Sequence, residues 1–359
     1  MNIAYFISSH GFGHAARSSA VINLLIANGH RVFIYTNTPK WFFTNSIPEN
    51  QFDYIQWSTD VGLIQKNPFE EDITQTIQSL RSIFPPEATT FQKLVKQLKV
   101  QMIELVFSDI SPLGILAAEA IGCDSILIEN FTWDWIYEAY LPKNPELENW
   151  IKYFSDVFSR TTHHLVTKPY CKLQSAYSPI EPISRIPRNS REIIRERLKV
   201  RPDDKMVLIT MGGVPINFEE AMLSKVPSNF KIIFPVGNIT EEKIYKNFHL
   251  LPHNHRYFHP DLVQAADLII AKVGYSTISE AYHADTPLLY IPRLMFPESQ
   301  ELENFIHRSM IGRELSETDL LSGGWVNKAE KIMKNQARSV QNKINGADQV
   351  ITFLLDKYA

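Results

Sequence analysis

Short apolar runs alternate with helix-like stretches along the first part of this 359-residue chain, and this alternation limits the folds open to it. The predicted strands are 3–7, 31–36, 52–57, 105–108 and 125–128, and the predicted helices are 18–28, 73–84, 91–99 and 113–121. Alternating strands and helices favour a parallel sheet with helices on both faces. Short strands without a polar side suit burial on both sides of such a sheet.

A proline-rich break separates a second series of the same kind. Pro182, Pro187 and Pro202 bracket a charged helix predicted over 191–198, which we interpret as the linker and first element of a second domain. Later strands are predicted over 206–211, 231–236, 256–259, 268–271 and 288–291, and helices over 277–283, 298–309 and 327–359. The predicted fold class is α/β, with two doubly wound, Rossmann-like parallel sheets facing a cleft. The predicted domains are 1–185 and 186–340, with a helix over 341–359 that packs back on the first domain.

Composition excludes several classes of protein. The apolar share of 44% and the charged share of 21% are those of a soluble globular chain. A net charge of −3 gives no reason to expect a nucleic-acid partner, and two cysteines fit a reducing compartment. The amino terminus lacks the features of a signal peptide, and no apolar run approaches the roughly 20 residues that span a bilayer. We therefore expect a cytoplasmic protein without a transmembrane segment; peripheral membrane contact stays open.

A glycine-rich turn that ends in histidine follows the first strand. Gly11 and Gly13 let the backbone turn sharply and bring its N–H groups near a ligand. His10 and His14 lie where open α/β sheets bind ligands. The G-x-G-x-x-A spacing also permits a nicotinamide dinucleotide, but that site requires an acidic residue after the second strand, and Thr-Asn-Thr stands there. The turn therefore favours proton transfer beside a bound sugar or phosphate.

His14 is the candidate general base of this turn. An imidazole can take the proton of an acceptor hydroxyl, and a carboxylate on its other ring nitrogen stabilises the imidazolium. Asp109 is the candidate partner, because it ends the apolar run 105–108 and so lies at a strand's carboxyl end. Two structural alternatives stay open: His14 could bond a backbone carbonyl, and Asp109 could cap the next helix. We expect Arg17 to be an ordinary solvated side chain.

The second domain contains a strand, a turn and a helix that together suit an anion. Gly274 follows the strand, Ser276 and Thr277 open the predicted helix, and free N–H groups there can hold a diphosphate. Lys272 adds a positive charge, and Glu280, predicted in the first turn, can accept hydrogen bonds from ribose hydroxyls. A capping box from Thr277 to Glu280 is the structural alternative, although it leaves Lys272 and Gly274 unexplained.

Four further segments give weaker signals. The pair Gly212 and Gly213 could approach a phosphate or form a plain tight turn. The polar segment 292–304 could recognise sugar hydroxyls or be an acid-rich helix start. The segment 133–135 (Trp-Asp-Trp) could form an acceptor platform or lie in the core. The three histidines between 253 and 259 have loose metal-like spacing, but we favour a solvated loop because no cysteine lies near.

Together these residues resemble the glycosyltransferases of the GT-B fold. The segment 272–280 is similar to the donor site of the peptidoglycan N-acetylglucosaminyltransferase and of the plant UDP-glycosyltransferases. Segments 10–15, 130–137 and 274–280 are more similar to the N-terminal, glycosyltransferase-like half of L-arabinokinases. That resemblance covers most of the chain, and the kinase half has no counterpart in it.

The resemblance implies inverting, metal-independent transfer from a nucleotide-diphosphate sugar, expected to be a UDP-sugar, to an acceptor hydroxyl. It implies a hexosyltransferase type of enzyme with no other cofactor, which binds the acceptor in the first domain and the donor in the second. His14 would be the base and Asp109 its partner. The candidate donor-binding residues are Gly13, Gly212, Gly213, Lys272, Gly274, Ser276, Thr277, Glu280, Glu298, Gln300 and Glu301.

The chain departs from the plant enzymes in two places. They have a histidine where this chain has Lys272, and an Asp-Gln pair where it has Gln300-Glu301. The second change leaves the identity of the sugar open. A non-catalytic nucleotide-sugar-binding or sensing module, or an epimerase or hydrolase on the same fold, also stays open.

Overall fold

The computed structural model of the chain describes residues 1–67, 70–212, 226–236, 239–252, 254–334 and 343–358. They form two compact units. The first unit comprises Met1–Ile183, Met295–Glu298 and Ile344–Ala359, and the second comprises Ser184–Leu294 and Ser299–Lys343.

The first unit is built on a seven-stranded parallel sheet in the order β3-β2-β1-β6-β7-β8-β9. Its strands are β1 (Asn2–Ile7), β2 (Arg31–Thr36), β3 (Phe52–Gln56), β6 (Leu105–Asp109), β7 (Asp124–Glu129), β8 (His163–Thr167) and β9 (Ser178–Ile180), with a separate hairpin of β4 (Gln65–Asn67) and β5 (Glu70–Glu71). Its helices are α1 (Gly13–Ala27), α2 (Lys40–Thr44), α3 (Ile73–Ile83), α4 (Ala88–Val100), α5 (Pro112–Ile121), α6 (Trp133–Glu138), α7 (Leu147–Ser159) and the last helix of the chain, Gly346–Tyr358.

The second unit also has seven strands, in the order β12-β13-β11-β10-β14-β15-β16. The strands are β10 (Lys205–Thr210), β11 (Phe230–Pro235), β12 (Lys243–Tyr245), β13 (Phe248–Leu251), β14 (Leu268–Lys272), β15 (Leu288–Ile291) and β16 (Gly312–Glu314). Among the described residues between Ser184 and Lys343, the helices are α8 (Arg191–Arg197), α9 (His259–Ala265), α10 (Tyr275–His283), α11 (Glu298–Ser309), α12 (Glu317–Leu321) and α13 (Trp325–Lys334). The helix Gly346–Tyr358 is therefore α14. The two parallel α/β sheets predicted from the sequence are confirmed, except that β12 runs antiparallel at one edge.

Strand register decides which residues meet at the functional edge of the first sheet. β1 pairs with β6 in parallel, so that Ile7 lies opposite Asp109. The glycine-rich turn after Ile7 therefore begins beside Asp109, and the backbone N–H of Ser8 donates to the carbonyl oxygen of Asp109 at 3.2 Å. Residues far apart in sequence are brought to one strand end by this pairing.

The C-terminal helix packs on the first unit, as predicted. α14 contacts α1 and β9, and its Val350 and Leu354 join the core cluster that contains Val21 and Leu25 of α1. Gly346 begins the helix, where a Cβ would lie 2.0 Å from the carbonyl oxygen of Glu181, so the close approach of the backbones requires glycine.

Two elements predicted in the second half of the chain are wrong. Residues 256–259 do not form a strand; the strand lies earlier, at β13, and His259 begins α9. Pro260 is the physical reason, because its fixed φ favours the first turn of a helix. The helix predicted over 327–359 is two helices, α13 and α14, and residues 335–342 between them lie outside the described ranges. Within those ranges, no helix is both long enough and apolar enough to cross a bilayer.

Candidate functional site

The first strand end presents a histidine held by a buried carboxylate. His14 is the second residue of α1 and is 7% exposed, and its Nδ1 lies 2.8 Å from Oδ1 of the fully buried Asp109. Asp109 does not cap α5, because Ser111 is the N-cap and accepts from the N–H of Gly114. His14 likewise contacts a carboxylate rather than a backbone carbonyl. Neither of the two structural alternatives left open by the sequence applies to His14 and Asp109.

Arg17 is not solvated, contrary to the sequence prediction. Its side chain is 1% exposed, and its Nε and Nη2 donate to Oδ2 and Oδ1 of Asp109 at 2.9 and 2.6 Å. Position 17 follows His14 by three residues, so both side chains lie on one face of α1. That spacing was the available signal. Ser18 adds a further hydrogen bond to Oδ2 of Asp109, at 3.0 Å.

These contacts fix the ionisation of Asp109. Burial alone would raise the pKa of Asp109, but the Arg17 guanidinium and the hydrogen bonds from Arg17 and His14 lower it to about 2. Asp109 is therefore a carboxylate at neutral pH and can only accept hydrogen bonds. Neutral His14 then carries its proton on Nδ1, which leaves the Nε2 lone pair as the basic position. Within the described part of the chain, Nε2 has no hydrogen-bond partner.

The network continues beyond Asp109 through two more buried side chains. Arg17 Nη1 donates to Oδ1 of Asn130 at 2.7 Å, and Asn130 Nδ2 donates to Oε1 of Glu298 at 2.6 Å. Asn130 is 1% exposed and Glu298 is 5% exposed. Glu298 was predicted among the sugar-binding residues of the second domain, but it belongs to the first unit. A buried chain of alternating donors and acceptors therefore extends from His14 to Glu298.

Aromatic rings surround the histidines of this turn. Trp133 is 1% exposed and lies in a core cluster, so it is a core residue and not an exposed acceptor platform. Its Nε1 donates to Asp60 at 2.8 Å, and burial raises the pKa of Asp60. His10 accepts from the N–H of Leu63 through Nδ1 and meets the Trp133 ring edge-on, at 5.3 Å between centroids. These contacts hold His10 against the core.

The second unit places a lysine against a glycine turn. Gly212 follows β10 with φ +63°, and a Cβ there would lie 3.1 Å from Cε of Lys272, the last residue of β14. β10 and β14 are adjacent parallel strands, so their ends bring the turn and the ammonium group together. Gly213 lies outside the described residues. The arrangement can offer backbone N–H groups and a positive charge to an anion.

The helix after Lys272 begins without a side-chain cap. Gly274 is the N-cap of α10 and Tyr275 its first residue, so Ser276 and Thr277 stand in the first turn. The alternative of a capping box is wrong, because Thr277 lies inside the helix and Glu280 lies beyond the first turn, where the sequence had placed it. The N-cap residue itself supplies no side-chain hydrogen bond, and the first turn of α10 carries the positive end of the helix dipole.

Glu280 is buried between two basic side chains. Its Oε1 accepts from Nε of Arg185 at 2.9 Å, and its Oε2 lies 2.7 Å from Nδ1 of His259. Burial raises the pKa of Glu280, but the charges of Arg185 and His259 together outweigh it, and the net shift is downward. Each carboxylate oxygen retains a second acceptor position for a ligand hydroxyl.

Sequence reasoning missed both partners of Glu280. His259 was assigned to a solvated loop, yet its side chain contacts Glu280 from the start of α9. His253 lies outside the described residues, and among those that are described no group of three His, Cys, Asp or Glu could hold a metal ion. Gln300 is exposed and Glu301 half-buried on α11, and the structure brings neither to the Glu280 cluster by a hydrogen bond between described residues.

Comparison with solved structures identifies the fold. The calicheamicin glycosyltransferase CalG4 superposes with a TM-score of 0.65 at 12% identity over 99% of each chain. The UDP complex of UGT89C1 from Arabidopsis thaliana gives a TM-score of 0.61 at 12% identity over 99% of each chain. MurG from Acinetobacter baumannii gives 0.57 at 14% identity over 99% of each chain. At these identities the likeness concerns the fold, which is that of the GT-B glycosyltransferases.

The family follows from the sequence. Residues 1–322 match the model of glycosyl transferase family 1, and the chain belongs to this family. The chain is 27% identical to L-arabinokinase from Arabidopsis thaliana over 96% of its own length, and it spans 33% of that relative. It is 22% identical to an uncharacterized glycosyltransferase from Methanosarcina mazei, over 88% of this chain and 86% of that protein.

Proposed function

We propose that the chain transfers a sugar, with inversion and without a metal ion, from a nucleotide-diphosphate sugar to an acceptor hydroxyl. The observation that carries the proposal is the orientation of His14, whose Nδ1 is held by Asp109 at 2.8 Å while Nε2 has no hydrogen-bond partner among the described residues. A fixed imidazole with one available lone pair is what a general base requires. Family membership supports the reaction class.

In this proposal the first unit activates the acceptor. His14 Nε2 accepts the proton of the acceptor hydroxyl as its oxygen attacks the anomeric carbon, and the bond from that carbon to the diphosphate oxygen breaks. Asp109 keeps the imidazole in the required tautomer and offsets part of the positive charge that forms on it. The bond made and the bond broken lie on opposite faces of the anomeric carbon, which gives inversion.

The second unit stabilises the leaving diphosphate in this proposal. Negative charge develops on the diphosphate as the bond breaks, and the N-terminus of α10 and the Lys272 ammonium would compensate it. Glu280 would accept hydrogen bonds from the ribose hydroxyls through its remaining acceptor positions. A uridine nucleotide is the first choice of donor, because UGT89C1, which shares the fold, has been solved with UDP. Transfer requires that a donor held by the second unit reach His14.

A non-catalytic nucleotide-sugar-binding module is the second candidate, and Arg17 favours it. Its guanidinium bonds both oxygens of Asp109, at 2.9 and 2.6 Å, and compensates the charge that would otherwise stabilise the His14 imidazolium.

A two-stage experiment separates the candidates. Nucleotide sugars are first screened by thermal shift, where a ligand that binds only the native state raises the melting temperature. The ligands that bind are then incubated with and without a panel of acceptors, and products are read by mass spectrometry. A new glycoside only with acceptor supports the transferase. Binding without product supports the binding module, and consumption without acceptor indicates a hydrolase or epimerase. Binding of no nucleotide sugar overturns the proposal.

A further inference from the structure

Two carboxylates outside the His14 network lie at the end of β7. Glu129 is the last residue of β7, and Asp134 lies in the first turn of α6, five residues later. Asn130, between them, bonds to Arg17, so this strand end adjoins the network of the candidate base. Neither carboxylate has a part in the mechanism proposed above.

Both carboxylates keep an oxygen without a hydrogen-bond partner. Glu129 is 3% exposed; its Oε1 lies 2.7 Å from Nε2 of His164, but its Oε2 is buried without a partner in the described part of the chain. Oδ1 of Asp134 is likewise buried without a hydrogen-bond partner among the described residues. Buried polar atoms nearly always have partners, and carboxylate oxygens can only accept. The missing partner at this place is therefore a hydrogen-bond donor.

The aromatic ring of Tyr177 lies against His164, the partner of Glu129. Tyr177 is half-buried, and its ring centroid lies 3.7 Å from that of His164. The residues before it, 172–176, are exposed. An aromatic face beside hydrogen-bond acceptors is suited to a sugar ring, which has apolar C–H faces and polar edges.

We propose that Glu129, Asp134, His164 and Tyr177, named here the β7-end cluster, bind the acceptor through hydroxyl or ammonium donors and reject acceptors that are anionic at this point. The inference rests on the proposed transfer reaction, and it names the chemical class of the acceptor. Hydroxyl and ammonium groups share the required chemistry, because each supplies the donors that the two carboxylate oxygens lack.

The charges around the cluster support this selectivity. Asp60, Asp109, Glu129 and Asp134 place carboxyl groups around the strand ends of β6 and β7, while Arg17 is already committed to Asp109. A phosphate or carboxylate entering here would meet like charge, and a like-charge contact disfavours the wrong partner strongly.

The test compares four probes with the same ring and different charge: glucose, glucosamine, glucuronate and glucose 6-phosphate. Binding to the full chain is measured by saturation-transfer NMR titration, with UDP affinity measured on the same sample by calorimetry. We expect glucose or glucosamine to bind at least about tenfold more tightly than the two anionic sugars. Glucosamine alone would identify the ammonium group as the feature recognised, and similar binding of both would identify hydroxyls.

Two variants attribute the preference to the cluster. Glu129→Gln and Asp134→Asn each replace a carboxylate by an amide of nearly equal size, and we expect each to reduce the discrimination against the anionic sugars severalfold. The exposed Glu148→Gln, on α7, is the matched control and should leave it unchanged. Asp134 is only half-buried, so its variant guards against a failure of Glu129→Gln to fold.

Three results would overturn the inference: equal or tighter binding of the anionic sugars, a preference unchanged in both cluster variants, or no binding of either glucose or glucosamine to the folded chain. Failure of the proposed donor is distinguishable. A chain that discriminates among the four sugars but binds no UDP would contradict the nucleotide assignment and leave the cluster's selectivity intact.

Discussion

Replacing Arg17 by methionine, which has a similar length and no charge, would leave Asp109 as an unpaired buried carboxylate. Arg17 donates twice to Asp109 and once to Asn130, and both charged side chains are at most 1% exposed. A pKa of about 2 for Asp109, against its ordinary 3.8, corresponds to about 2 kcal/mol of net favourable interaction. Breaking such a pair from one side costs about 3–5 kcal/mol. We expect Arg17→Met to lower the free energy of unfolding by about 3–5 kcal/mol at pH 7, measured by urea titration.

The deficit of Arg17→Met should depend on pH. In the wild type the pKa of folded Asp109 is depressed, so its contribution is present above about pH 4 and is lost as the pH falls toward 2. Without Arg17, burial dominates and the pKa of folded Asp109 rises above its ordinary value. The variant then loses stability as the pH rises, because the folded state binds the extra proton. The difference between the two proteins should therefore be greatest near neutral pH and smaller near pH 4.

Two further variants test whether Arg17 compensates the buried charge of Asp109. Arg17→Met combined with Asp109→Asn should be more stable than Arg17→Met alone, because no uncompensated charge is left buried. Arg81→Met removes the exposed ion pair with Glu146 and should cost less than about 1 kcal/mol. If the double variant loses the sum of the two single losses, or if Arg17→Met costs no more than Arg81→Met, Arg17 does not hold a buried charge in the way described.

Three other predictions concern both units. Gly274→Asp should raise the free energy of unfolding by about 0.5–1 kcal/mol, because the extended N-cap has open space for a Cβ and gains both a capping carboxylate and a negative charge at the positive end of the helix dipole. The same change should weaken UDP binding at least about tenfold by calorimetry. Glu280→Gln should lower the free energy of unfolding at pH 7 in urea titrations. The gap between the variant and the wild type should shrink as the pH falls below about 4, because the pKa of folded Glu280 is lowered and its contribution to stability is lost when it is protonated. Trp133→Phe should cost about 1–3 kcal/mol in the same assay by leaving Asp60 without its indole donor; an unchanged stability would mean that the bond is not formed.

The fold was largely predictable because buried parallel strands can be recognised in the sequence as short apolar runs. β2 and β15 have the predicted bounds, and most other predicted strands differ by a residue at one end or both. The predictions failed where a single residue outweighed the pattern. Pro260 starts a helix inside an apolar run that otherwise resembles a strand, so residues 256–259 were assigned wrongly.

The candidate site was less predictable, because its partners come from distant parts of the chain. Strand ends indicated His14, Asp109 and Lys272 as neighbours of a ligand, since parallel strands finish at one edge of a sheet. The three-residue spacing from His14 was the one local signal for Arg17, and its buried partner Asp109 lies 92 residues away. Arg185 likewise reaches Glu280 across 95 residues. The local sequence indicates the element on which a side chain lies, and the tertiary structure is needed to identify the distant residues that it contacts.

The transfer rate of His14→Gln, compared with that of the wild type, tests the central claim most directly. Glutamine keeps a side chain that can donate to Asp109 but offers no basic nitrogen. With a donor and acceptor found in the screen, we expect kcat/KM to fall at least about 100-fold while UDP affinity stays within about twofold. His249→Gln, whose ring contacts Glu242 and lies outside the candidate site, should retain the wild-type rate. Equal turnover by His14→Gln and the wild type would contradict the account.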